Sequence, residues 1–207
     1  MGELDGKVAI ITGAGRLRGI GRAAAVSLAR LGADVVVTGT GRDPSSFPDD
    51  EKAINWKDVE SVAEQVRAEG RRALTLTVDV TSREDVQSMI DRTVEEFGRI
   101  DILINNAAFA RGVDRVPILE LDEDVFQKVM DIKVTGTFLC TKAAISHMIK
   151  QGEGGKIVNI SSTAGKRGSA NTLAYNGANF AIVGMTQSMA QELGCLLYTS
   201  PSPRDRG

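Results

Sequence analysis

Gly13, Gly15, Gly19 and Gly21 crowd the stretch Thr12-Gly13-Ala14-Gly15-Arg16-Leu17-Arg18-Gly19-Ile20-Gly21, between the apolar run Val8 to Ile11 and an apolar-periodic segment. Strand, glycine-rich turn and helix in that order make a cradle for phosphate. The glycines let the backbone turn tightly against a pyrophosphate, and the unpaired N–H groups of the new helix point at the anion. By itself such a loop fits a plain strand-to-helix turn equally well. The elements around it have to decide.

Those elements alternate. Short β-rich runs fall at Val8–Thr12, Val35–Thr38, Leu74–Val78, Ile102–Ile104 and Ile157–Ile160, with helical patterns between them. In one, Val86, Met89, Ile90, Val94 and Phe97 recur at helical spacing. Continuous apolar runs are the mark of strands buried on both faces. Alternating β and α elements therefore predict an α/β domain, a parallel sheet with helices on both sides. A ligand is expected at the C-terminal ends of its strands.

The chain has 207 residues, of which 42% are hydrophobic, enough for one globular domain with a sizeable core. A net charge of −2 gives no electrostatic reason to expect nucleic acid or a membrane surface. No signal-peptide pattern opens the chain, and no apolar run is long enough to span a bilayer. The two cysteines, Cys140 and Cys195, have neither metal-ligand spacing nor a disulfide framework, so no metal is expected and the cytoplasm is the expected compartment. The polar connection from Asp43 to Trp56, just after the second β-rich run, reads as a surface loop that also borders the adenosine end of any bound dinucleotide, with Trp56 as its packing anchor. His147 has no nucleophile to pair with and receives no role.

Residues 195–205, CLLYTSPSPRD, resemble the translation of a transposon-derived sequencing adapter. The natural domain is accordingly expected to occupy residues 1–194 and to be interrupted there, with 195–207 a non-native tail.

Four motifs in order resemble the short-chain dehydrogenase/reductase superfamily: the glycine loop at 12–21, Asp79-Val80, Asn105-Asn106-Ala107-Ala108, and Ser162 with Tyr175 thirteen residues on. The likeness runs from residue 4 to 194. It implies a Rossmann-type doubly wound sheet of strand order 3-2-1-4-5, incomplete at its C-terminal edge. For the complete protein it further implies an NAD(P)(H)-dependent oxidoreductase interconverting a carbonyl and an alcohol, and a homo-oligomer, with the interrupted chain itself expected to be inactive. By this resemblance Gly13, Gly15, Gly19, Ile20, Gly21 and Thr38 would border the dinucleotide. Asp79 and Val80 would meet the adenine, and Asn106, Ala107 and Ala108 would run beneath the cofactor.

The glycine loop carries two extra residues between Gly13 and Gly19, and the second strand ends Thr38-Gly39-Thr40-Gly41-Arg42 without an acidic residue. Such an acid would hold a ribose 2′-hydroxyl and repel a 2′-phosphate. Arg18 and Arg42 could instead bond that phosphate, so NADP(H) is the expected cofactor, with NAD(H) the other choice.

By the same resemblance, Tyr175 is the acid/base and Ser162 holds the substrate oxygen. A free tyrosine titrates near pH 10, so proton transfer near neutrality calls for stabilisation of the phenolate by about 4 kcal/mol. Relatives use a lysine one helical turn on, where this chain has Asn179, and an asparagine where it has Lys133. Lys133 and Asn179 are therefore read as having exchanged places, with Lys133 supplying the cation from a neighbouring helix. Two alternatives stay open: errors in the sequence, or a nucleotide-binding pseudoenzyme, acting as a sensor or assembly subunit, that has lost turnover.

Overall fold

The computed structural model describes residues 2–110 and 112–194. Residues 195–207, which carry the adapter-like string, lie outside them. Five strands, β1 (Val8–Ile11), β2 (Asp34–Gly39), β3 (Ala73–Thr77), β4 (Ile102–Asn105) and β5 (Lys156–Asn159), form one sheet ordered β3-β2-β1-β4-β5, every neighbour parallel. This is the expected Rossmann-type order, and each expected strand differs from the observed one by a residue or two at its ends.

Successive strand residues point to opposite faces, and the sheet accordingly has two cores. Ala9, Ile11, Val35, Val37, Ile102 and Ile104 pack with α1 (Ile20–Arg30) and α3 (Val59–Ala68) through Ala25, Ala29, Val62 and Val66. Val8, Ile10, Val36 and Leu103 face α4 (Arg83–Phe97) and α6 (Gly136–Gln151) through Met89, Ile90, Cys140 and Met148. Cys140 is fully buried, which pushes its thiol up to about 12, so it stays protonated packing material. Between β2 and α3, the short helix α2 (Asp49–Ala53) lies in the Asp43 to Trp56 connection.

One long helical stretch leads to the site. Helix α5 (Glu123–Met130) starts at Asp122, whose carboxylate accepts from the N–H groups of Asp124 and Val125. It runs into α6 through a π-helical turn over Asp131–Thr135, and that turn carries Lys133. Such turns insert a residue into the helical register and turn a side chain out of the regular face, frequently at functional sites. Helix α7 (Leu173–Leu193) packs Ala174 and Ala178 on Val129 and Val134. The turn bearing Lys133 thus lies against the α7 turns bearing Tyr175 and Asn179. Among the described residues no helix is long and apolar enough to cross a membrane.

Candidate active site

The loop after β1 and the end of β4 are laced together. Thr12 Oγ1 accepts from the N–H groups of Asn106 (3.0 Å) and Ala107 (3.1 Å). Asn106 Nδ2 donates to the carbonyls of Thr12 and Gly13, both at 2.9 Å. Gly13 sits at φ +63°, and a Cβ there would stand 2.8 Å from Ala107 Cα, so this position requires glycine twice over. A Cβ on Gly21 would meet Asn106 Nδ2 at 2.6 Å. Gly19 caps α1 without a side-chain bond, leaving the first-turn N–H groups free for an anion. The Cβ-free cradle and these unpaired donors fit a dinucleotide pyrophosphate.

The enlarged glycine loop does not bulge freely; the Asp43 to Trp56 connection folds over it. Trp56, buried, donates from Nε1 to the Gly15 carbonyl at 2.6 Å. Glu51 Oε1 accepts from the Leu17 N–H at 2.9 Å. Trp56 is the expected anchor, but the connection is a clamp on the loop rather than a detached surface segment.

Arg42 is corrected by this arrangement. The sequence offered it as a free cation for a 2′-phosphate, whereas its guanidinium bonds Asp58 Oδ1 (2.8 Å) and Glu51 Oε2 (3.0 Å) and lies over the Phe47 ring. Burial works against its charge, but the two carboxylates more than offset this and hold it firmly protonated. Arg18 is 83% exposed and paired with Asp50 at 2.7 Å. Two further expected contacts also differ. Thr38 is fully buried and its backbone carbonyl accepts from the Ala14 N–H (2.8 Å), so its main chain holds the loop from below. Val80 turns inward against Gly136, where any Cβ would strike it, and is a packing residue. Asp79 is exposed and accepts from Thr81 N–H (2.9 Å) and Oγ1 (2.8 Å). Ala108 and Ile20 are exposed at the rim.

Asp58 was not legible as a functional residue, because it lies far along the chain from the end of β2. Its carboxylate stands against Gly15 and, through Oδ2, 3.5 Å from where a Gly39 Cβ would be. Oδ2 is buried without a hydrogen-bond partner, and the backbone is held at φ +52°, ψ −128°. A non-glycine residue in that region is strained by about 1–3 kcal/mol. An acid thus reaches the end of β2 after all, from the start of α3.

At the C-terminal end of β5 the remaining candidates converge. Ser162 Oγ accepts from the Ala164 N–H at 3.2 Å, which leaves its own hydrogen free to donate. Lys133, only 6% exposed, donates from Nζ to the Ile160 carbonyl at 2.5 Å. Burial pulls its ammonium down to about 8. Asn179 is buried; its Nδ2 donates to the Tyr175 carbonyl (2.8 Å) and its Oδ1 accepts from Ser161 Oγ (3.3 Å). Lys133 and Asn179 therefore grip adjacent residues of the same segment, Ile160 and Ser161. The Tyr175 hydroxyl has no partner among the described residues, and the Arg115 guanidinium covers its ring at 3.7 Å. Arg115, too, gave no signal in the sequence, since it stands in an irregular loop with no motif around it.

Known proteins share this architecture. A carveol dehydrogenase from Mycobacterium avium, solved in complex with NAD, superposes with a TM-score of 0.83 at 34% identity, over 94% of this chain and 68% of that one. In sequence, a short chain dehydrogenase/reductase of Aspergillus oryzae is 41% identical over 192 residues, covering 93% of this chain and 67% of its own. The 2-dehydro-3-deoxy-D-gluconate 5-dehydrogenase of Escherichia coli is 36% identical over 190 residues, 92% of this chain and 67% of that protein. The family model described as short chain dehydrogenase matches residues 7–195, and this chain belongs to the short chain dehydrogenase family.

Proposed function

We propose that the cleft at the ends of β1, β4 and β5 interconverts a secondary alcohol and a ketone with a nicotinamide dinucleotide. The observation that carries this reading is the convergence of Ser162, Lys133 and the α7 turns of Tyr175 and Asn179 at the end of β5. The relatives are named as dehydrogenases, so the binding-only alternative is not favoured.

The dinucleotide, when bound, supplies or accepts hydride. In the reducing direction the Tyr175 hydroxyl gives its proton to the carbonyl oxygen. Ser162 Oγ donates a second hydrogen bond to that oxygen. Lys133 adds a desolvated positive charge beside the strand end, which favours the negative charge left behind on proton release. Asn179 holds the Ser161 side of the pocket. The assay that tests the reading is NADH consumption by the purified chain over a panel of ketones, and the reverse over secondary alcohols. Tight dinucleotide binding with no turnover of any member would select the binding-only protein instead.

The sequence favoured NADP(H) on the strength of Arg18 and Arg42. With Arg42 held between two carboxylates, the cluster of Arg42, Glu51 and Asp58 carries one net negative charge, and it repels a 2′-phosphate. Asp58 Oδ2 is suited to accept from a ribose hydroxyl. We therefore assign NAD(H) as the preferred cofactor. Asp58→Asn, which tolerates the positive φ, is expected to weaken NAD(H) binding and shift the NAD-to-NADP ratio of kcat/KM toward NADP by roughly 10- to 100-fold. An unchanged ratio would restore the arginines to their first role. The exposed apolar residues Phe138, Ile149, Leu173 and Phe180 on α6 and α7 support pairing of these helices between copies of the chain.

A further inference from the structure

Arg115 is a charged side chain with an unusual position. It sits in the loop between β4 and α5, only 22% of its side chain is exposed, and its guanidinium carbon lies 3.7 Å above the centre of the Tyr175 ring. That contact puts a cation against the ring whose hydroxyl the substrate must meet. Stacking alone accounts for about 1–2 kcal/mol of attraction, but it engages the face of the guanidinium and leaves its edge unused.

The edge is incompletely satisfied. Nε lies 3.0 Å from Asp114 Oδ2, yet it is buried and makes no aligned hydrogen bond. No group among the described residues takes the Nη1 and Nη2 hydrogens. Asp114 is itself 2% exposed and anchored by the Gly112 N–H to its Oδ1 at 3.1 Å. It therefore orients the arginine from the Nε side while the terminal fork stays open. A planar fork with two parallel donors matches a carboxylate and is poorly matched to a neutral ketone or ester.

We propose that Arg115 is a specificity-determining residue that binds a carboxylate of the substrate, so that the protein acts on short oxo acids or the corresponding hydroxy acids. The proposal rests on the reading of Tyr175 as the proton donor of this cleft. A carboxylate on the fork would be held beside the Tyr175 ring, and so would fix which end of the substrate enters first. Burial makes this a strong contact: a charge-assisted pair in a partly desolvated cleft discriminates against a neutral analogue through the unpaired donors the analogue leaves behind.

The test compares 2-oxobutanoate, acetoacetate and 4-oxopentanoate with their methyl esters, using the full chain and NADH. Acids should be preferred over their esters in kcat/KM by roughly 10- to 100-fold. Arg115→Met should bring that ratio close to one, with the loss appearing in KM for the acids. Arg115→Lys should restore part of it, as a cation without the fork. Equal turnover of acids and esters by the native chain would overturn the proposal, as would an Arg115→Met variant that lowers both alike. Calorimetric titration of the acids into NAD-loaded protein separates this from the reaction itself. If nothing on the panel is reduced, binding of an acid that vanishes in Arg115→Met still upholds the carboxylate site. Absent binding, or binding that survives the substitution, overturns it.

Discussion

Lys133→Met is expected to lower ketone reduction by about 10³-fold, within the range by which acid/base groups and their electrostatic support contribute to turnover. Dinucleotide affinity should stay within a few fold, because Lys133 lies at the end of β5 and bonds the Ile160 carbonyl, away from the glycine cradle. The variant should not lose stability. Burial pulls the ammonium from 10.5 to about 8, so keeping it charged inside the fold at neutral pH costs roughly 3 kcal/mol. Methionine removes that cost along with one hydrogen bond, and the melting temperature should hold or rise. An inactive but equally stable variant separates a functional lysine from a structural one. Undiminished turnover would end the exchange model.

The same shift gives a pH signature. Below about 8 the folded protein holds the Lys133 proton, so activity that needs the charge should decline as pH rises through that value. Stability moves the other way. Between about 8 and 10.5 the unfolded chain binds a proton that the folded chain has released, so the folded state gains stability across that window. Lys133→Met should flatten both dependences. The double replacement Lys133→Asn with Asn179→Lys offers a complementary check: turnover above that of either single variant shows that the two positions are coupled.

Tyr175→Phe should lower turnover by about 10²- to 10⁴-fold in both directions. It is a clean deletion for a physical reason. The hydroxyl has no partner among the described residues, and the ring, which carries the Arg115 contact, is retained. Fluorescence titration with NADH should therefore show binding like that of the native chain, and thermal unfolding should be unchanged. The loss should appear in single-turnover NADH oxidation, which isolates the chemical step from product release. A Tyr175→Phe chain that still reduced ketones at the native rate would move the proton donor elsewhere.

Fold class and cradle were legible in the sequence because their signals are local. Continuous apolar runs at Val8, Val35 and Ile102, alternating with helical patterns, mark strands buried on two faces, and the glycines from 13 to 21 after the first run mark a backbone that must come close to something. What they approach is Ala107 and Asn106. The odd pairing of Lys133 with Asn179 came into view only through the family resemblance, which places a lysine one turn beyond Tyr175 and an asparagine at position 133. Tertiary structure decided the rest, and for one reason: charge in a site depends on neighbours that sequence distance hides. Arg42 looked free until Glu51 and Asp58 folded onto it. The acid absent from the end of β2 arrives from Asp58 at the start of α3, and Arg115 reaches Tyr175 across sixty residues of chain. Residue types and spacing pointed to a dinucleotide cradle, and the family resemblance to a proton donor beside it. Only packing decided which cations remain available to the cofactor and which to the substrate.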